Sequence, residues 1–198
     1  MVNLAKGKAV SLAKASLDEG GSGSLTKVRI GLGWDELHPQ QSGHKFDLDA
    51  SVFVVDDNDI VLSPGHFVFY NNLVSPEGAI THTGDNRTGS GDGDDESIII
   101  DLTLLPANTK SLVFAVTIDE AEARGQSFGM VKNAYVKAYD DVTGLELVNY
   151  KLEDSFSDFA VVFAKLIRLG GDWNLAAVPE GYPAGLEGLV VKYGLTVD

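Results

Sequence analysis

The segment Ser111–Ile118 (SLVFAVTI) constrains the fold of this chain more than any other stretch. Its β-branched and aromatic residues favour extended backbone, and after Ser111 it is largely apolar at both odd and even positions. Successive side chains of a strand point to opposite faces of the sheet. A strand apolar on both faces must be covered on both, which places it at the centre of a sheet. Seven more segments share this composition: Leu48–Val55 and residues 27–32, 66–69, 97–101, 134–140, 145–150 and 159–169. Asp57-Asn58, residues 140–144 and Gly170-Gly171 have the composition of hairpin turns. Many short strands with turns between them predict an all-β chain with minor helices, built as a two-sheet β-sandwich.

Two short helices are expected. Leu186, Leu189, Val190 and Tyr193 fall at i, i+3, i+4 and i+7, with Gly194 as a stop, and give a short C-terminal helix. Asp119 with Glu122 three residues on can start another, which Gly125 weakens. The 198 residues contain no Pro/Ser/Gln-rich linker, so the chain reads as one domain, 1–198. The glycine- and serine-rich residues 20–24 leave the N-terminal 1–26 as either a loosely attached arm or an edge strand, with residues 9–13 as the pairing segment.

With no cysteine, disulfides, thiolate metal sites and thiol redox chemistry are excluded. The apolar runs are far shorter than the roughly 20 residues of a membrane span, so direct membrane insertion is not expected. Lys6, Lys8 and Lys14 interrupt any signal-peptide core. The expectation is a cytoplasmic protein. The net charge of −14 is concentrated: residues 34–101 carry fourteen acids against Lys45 and Arg87 alone. Such a field repels nucleic acid and anionic lipid and attracts cations.

The acids crowd most closely in residues 84–96 (GDNRTGSGDGDDE), which hold Asp85, Asp92, Asp94, Asp95 and Glu96 beside Arg87. Gly84, Gly89, Gly91 and Gly93 let the backbone fold tightly and turn carbonyl oxygens inward. Asn86 and Thr88 add neutral oxygens. Calcium takes six to eight oxygen ligands, carboxylates and carbonyls together, in flexible geometry. This segment offers both kinds and predicts a hard-cation site; the alternative is a solvated acidic loop. It is not an EF-hand, because Ser97 stands where the loop glycine is required and a β-branched run replaces the exiting helix.

A second acidic pair, Asp47 and Asp49 in FDLDAS, shares one strand face with Ser51, Phe53 and Val55. That face is read as an inner face meeting the end of the sandwich. Carboxylates there are poorly solvated, and a metal would resolve that; the alternative is a strand-end pair facing water. Asp56, Asp57 and Asp59 flank Asn58 and read as turn residues. Asn71 and Asn72 end a strand, and either one supplies a calcium ligand or caps the turn. His38, His44, His66 and His82 have no spacing that makes a zinc site, and no Gly-x-Ser-x-Gly, Walker or dinucleotide motif occurs.

Six stretches carry a family resemblance: GLGWD (31–35), FDLDAS (46–51), FVFYNN (67–72), HTGDNRTG (82–89), GDGDDE (91–96) and EARGQSFG (122–129). Over roughly residues 28–195 the sequence resembles the TerD family of tellurite-resistance and calcium-binding stress proteins. The resemblance implies a two-sheet β-sandwich, calcium at the acidic segments and a link to tellurite resistance and stress. The ligands it implies are Asp47, Asp49, Asp85, Asn86, Asp94, Asp95 and Glu96. To these the residues themselves add Asn71 and the backbone of Gly89, and two calcium ions are expected. The function expected is a non-enzymatic, calcium-ordered interaction module with protein partners in a stress-response assembly. Its rivals are a metal-dependent enzyme acting on phosphate-bearing substrates, with His82, Lys45 and Arg87 nearest the metals in sequence, and calcium-dependent lipid docking.

Overall fold

The computed structural model describes residues 1–35, 46–83, 93–154 and 156–197. Twelve strands and three helices follow in the order β1 Val2–Asn3, β2 Ala9–Ser11, α1 Leu12–Asp18, β3 Lys27–Asp35, β4 Leu48–Val55, β5 Phe67–Val68, β6 Ile80–His82, β7 Glu96–Asp101, β8 Ser111–Ile118, α2 Ala121–Arg124, β9 Lys132–Asp140, β10 Glu146–Lys151, β11 Ala160–Leu169, β12 Asp172–Tyr182 and α3 Gly185–Lys192. They form two six-stranded sheets. Sheet A runs β1-β10-β9-β3-β7-β6 and sheet B runs β2-β12-β11-β8-β4-β5. All pairings are antiparallel except that of β1 with β10.

The chain is therefore the two-sheet β-sandwich with a short C-terminal helix that its periodicity predicts. β8 lies between β11 and β4 and is buried at every residue. Its Leu112, Phe114 and Val116 face sheet A through the main core, beside Val28, Ile30 and Ile98. Its Val113 and Ala115 belong to a second cluster on the outer side of sheet B, with Phe53, Val55, Phe67, Leu189 and Tyr193. α3 lays Leu189 onto this outer face, and the Tyr193 ring at its C-terminus packs tilted against Phe53, with centroids 4.8 Å apart. Truncating such a buried aromatic costs about 3–5 kcal/mol, so α3 is an integral part of the fold.

Three expectations change. The 66–69 segment divides into a 3-10 turn at Pro64–His66 and the two-residue β5, because proline at the start of a turn pre-sets the backbone dihedral. The face carrying Asp47 and Asp49 is the outer face of sheet B, since Leu48, Ala50, Val52 and Val54 occupy the inner one. Of the two alternatives for the N-terminal residues, the edge strand is the one seen, and the loosely attached arm is what changes: β2 at residues 9–11 pairs with β12, β1 pairs with β10, and α1 packs against strands of each sheet. The Ser11 hydroxyl caps α1 by accepting the Lys14 N–H at 3.0 Å.

Candidate metal centre at one end of the sandwich

The site is built where β4 outruns its neighbour. β5 pairs with β4 only at Val52 and Phe53, so Ala50 lies beyond its end. Two side chains from sheet A take over there. The Glu96 carboxylate accepts the Ala50 N–H through Oε2 at 2.5 Å, and His82 Nε2 lies 3.2 Å from the Ala50 carbonyl and 3.5 Å from Glu96 Oε2. These two neighbours of Nε2 are acceptors, so Nε2 carries a proton in this arrangement. The two side chains are 1% exposed. Burial pushes the His82 imidazole down, but the hydrogen bond and charge of Glu96, the Ala50 carbonyl and the charge of Asp49 outweigh it, and the net shift is upward. Asp49 is therefore close enough to act on this clasp.

Asp95 continues the edge of β7. Its N–H donates to the Leu32 carbonyl and its Oδ2 accepts the Trp34 N–H, both at 2.8 Å. The carbonyl of Asp47, one residue before β4, accepts the N–H of Asp119 at 2.8 Å. That bond continues the β4–β8 ladder by one residue and keeps the segment after β8 beside the start of β4. The result is a cleft of about 380 Å³ on the outer side of sheet B, lined by Asp49, Tyr70, Asp119, Glu120, Glu122 and Leu186. Arg124 lies 2.6 Å from Glu120 and 3.4 Å from Asp119 and offsets part of that charge.

The sequence-predicted residues thus divide into groups. Asp47, Asp49, Asp95 and Glu96 gather at this end of the sandwich. Asn71 is exposed at the tip of the turn between Phe69 and Asn72, next to the cleft residue Tyr70. Backbone bonds between Phe69 and Asn72 close that turn, and the Asn72 Nδ2 ties it to the preceding segment by donating to the carbonyls of Gly65 and Phe67 at 3.0 and 2.7 Å. Asp94 is turned to the outer face of sheet A and bound to Arg29. Asp85, Asn86 and Gly89 lie outside the described residues, as do His38 and His44. Among the described residues no group of three or more His, Asp or Glu side chains converges to hold a metal. The described carboxylates offer hard oxygen alone, the donor type that calcium takes. Sequence reasoning missed Glu120 and took Asp119 and Glu122 only as a helix start; the β4–β8 register, with Leu48 opposite Ile118, is what places them at the cleft.

A TerD domain match spans residues 1–193. The chain belongs to the TerD family. It is 44% identical over 198 residues to tellurium resistance protein TerD of Serratia marcescens, covering 100% of this chain and 99% of that protein. It is 42% identical over 197 residues to general stress protein 16U of Bacillus subtilis (strain 168), covering 99% and 98%. The crystal structure of a homologue of telluride resistance protein (TerD) from Streptomyces coelicolor A3(2) superposes with a TM-score of 0.66 at 21% identity, over 82% of this chain and 94% of that one. That likeness carries the sandwich fold. The TerD match begins at residue 1 rather than near residue 28, and it thus includes β1 and β2, which pair into the two sheets, and α1. Among the described residues no helix is long and apolar enough to cross a membrane.

Proposed function

We propose that this TerD-family chain is a calcium-binding module of a stress response associated with tellurium resistance, acting by presenting a calcium-ordered surface to protein partners. One observation carries the reading. Asp95 and Glu96, 8% and 2% exposed, are oriented by backbone N–H groups at the same end of the sandwich as Asp47 and Asp49. Hydrogen bonds from N–H groups favour the ionised carboxylate, and ionised carboxylate oxygens are the donors calcium takes. Asp47 and Asp49, on the outer face of sheet B, and Asp95 and Glu96, at the edge of β7, would each supply donors to the two expected ions, with Asp85, Asn86, the Gly89 carbonyl and Asn71 as further donors. When bound, calcium supplies the positive charge that lets these carboxylates stay ionised side by side. Glu96 and His82 tie that end of sheet A to β4, so occupancy of the carboxylates is transmitted to both sheets.

The relatives named for tellurium resistance and general stress support the wider role. With no thiol, any effect of this chain on tellurite is indirect. Isothermal titration with calcium and with magnesium tests the reading. Magnesium demands near-ideal octahedral geometry and releases its waters reluctantly, so calcium is expected to bind more tightly. Equal affinities, or no heat with calcium, would count against it.

A further inference from the structure

Asp94 stands among acidic residues yet differs from them in what it touches. Glu96 points between the sheets, and Asp94, on the far side of the strand edge, lies over Gly31 on the outer face of sheet A. Its Oδ2 accepts from Arg29 Nη1 at 2.7 Å, and its Oδ1 accepts from the Tyr139 hydroxyl at 3.3 Å. The Arg29 guanidinium is itself fixed, stacked 3.8 Å over the Tyr139 ring and 3.7 Å from Asp141. The neighbouring Gly93 carbonyl accepts from the Tyr135 hydroxyl at 2.9 Å. The Asp94 side chain is 6% exposed despite lying on an outer face.

Two glycines make room for this arrangement. A Cβ at Gly31 would overlap the Asp94 carboxylate, and a Cβ at Gly33 would overlap the Tyr135 ring. The alternation of GLG in β3 is thereby explained: Leu32 faces the core, and the two glycines form a cradle for the 93–94 segment.

We infer that Asp94 is an anchor rather than a calcium ligand, and that Arg29, over the Gly31 cradle, is the positioning residue that sets where Asp95 and Glu96 present their carboxylates. The inference rests on the calcium reading above. A carboxylate held 2.7 Å from a guanidinium has its charge largely met, and a cation brought to it would also approach Arg29. Immediately after this anchor come the bonds that aim the next two residues: Asp95 N–H to Leu32, Trp34 N–H to Asp95, and Ala50 N–H to Glu96.

The two roles for Asp94 predict opposite signs. If Arg29 positions the carboxylates, Arg29→Met weakens calcium binding by about 10-fold, the scale of lost outer-shell support. Asp94→Asn does the same, the double variant is no weaker than either single one, and Arg29→Lys recovers part of the loss. If Asp94 were a ligand, Arg29→Met would release its carboxylate and remove a competing cation, and affinity would rise. A rise, or no change in either variant, overturns the inference. Amide hydrogen exchange in excess chelator supplies a readout independent of calcium. Arg29→Met and Gly31→Ala should each speed exchange at Asp95 and Glu96, with the Ile98 and Ile100 amides unchanged. If the wild-type chain takes up no calcium, the functional reading falls and the exchange arm decides alone: faster exchange keeps the anchor, and unchanged exchange removes it.

Discussion

The outer face of sheet A and the carboxylate end of the sandwich are both rich in acids, and they hold them differently. On sheet A, Arg29 meets Asp94 and Asp141, Lys137 meets Glu146 at 3.4 Å, and Lys27 meets Asp101 at 3.8 Å. There the charge is met by neighbouring cations, and the acids fix backbone and ring positions. At the end of the sandwich, Asp95 and Glu96 are oriented by the N–H groups of Trp34 and Ala50. A backbone dipole aims a carboxylate without cancelling its charge. On the outer face of sheet A the acids are thus matched with cations, whereas at the end of the sandwich Asp95 and Glu96 are aimed by backbone dipoles, with the His82 imidazole 3.5 Å from Glu96.

Substitutions on the two sides sharpen that contrast. The largest effect is expected at Glu96. In excess chelator, Glu96→Ala leaves the Ala50 N–H facing a buried gap and should cost about 3 kcal/mol, read by urea denaturation. A loss under 1 kcal/mol would mean that the clasp between the sheets holds nothing. Arg29→Met comes next. Its pair is only partly buried, with side chains 28% and 6% exposed, so about 1 kcal/mol is expected after allowing for solvent screening. Lys137→Met should be smallest, under about 0.5 kcal/mol, since both members of that pair are about a quarter exposed. Equal costs for all three would erase the distinction between the two regions.

Much of the fold could be read from periodicity. Leu48–Val55 and Ser111–Ile118 have the predicted bounds, and Leu189 and Tyr193 bury the face of α3 that their spacing defines. β12 was not legible, because Asp172–Tyr182 carries small residues and Pro179 in place of a β-branched run, and its pairing with β11 overrides that weak propensity. α1 gave too little pattern in seven residues. At the site, the acids themselves were plain in the sequence. Their division was not, since it depends on which face each residue occupies and on partners far along the chain. Arg29 reaches Asp94 across 65 residues, and Glu96 reaches Ala50 across 46. The Gly31 and Gly33 pair was visible as a motif, but its purpose appears only once the Asp94 carboxylate and the Tyr135 ring are seen above it.

The central claim, that the carboxylate end binds calcium in the folded chain, is tested most directly by differential scanning calorimetry in excess calcium and in excess chelator. A ligand at 100 times its dissociation constant adds about 2.7 kcal/mol to stability. For a domain of this size that corresponds to roughly 5–11 °C in Tm for one site, and a second ion would add to it. The account predicts a Tm higher by that amount in calcium, and a smaller shift in Asp49→Asn. Superimposable melting curves in calcium and chelator would contradict it.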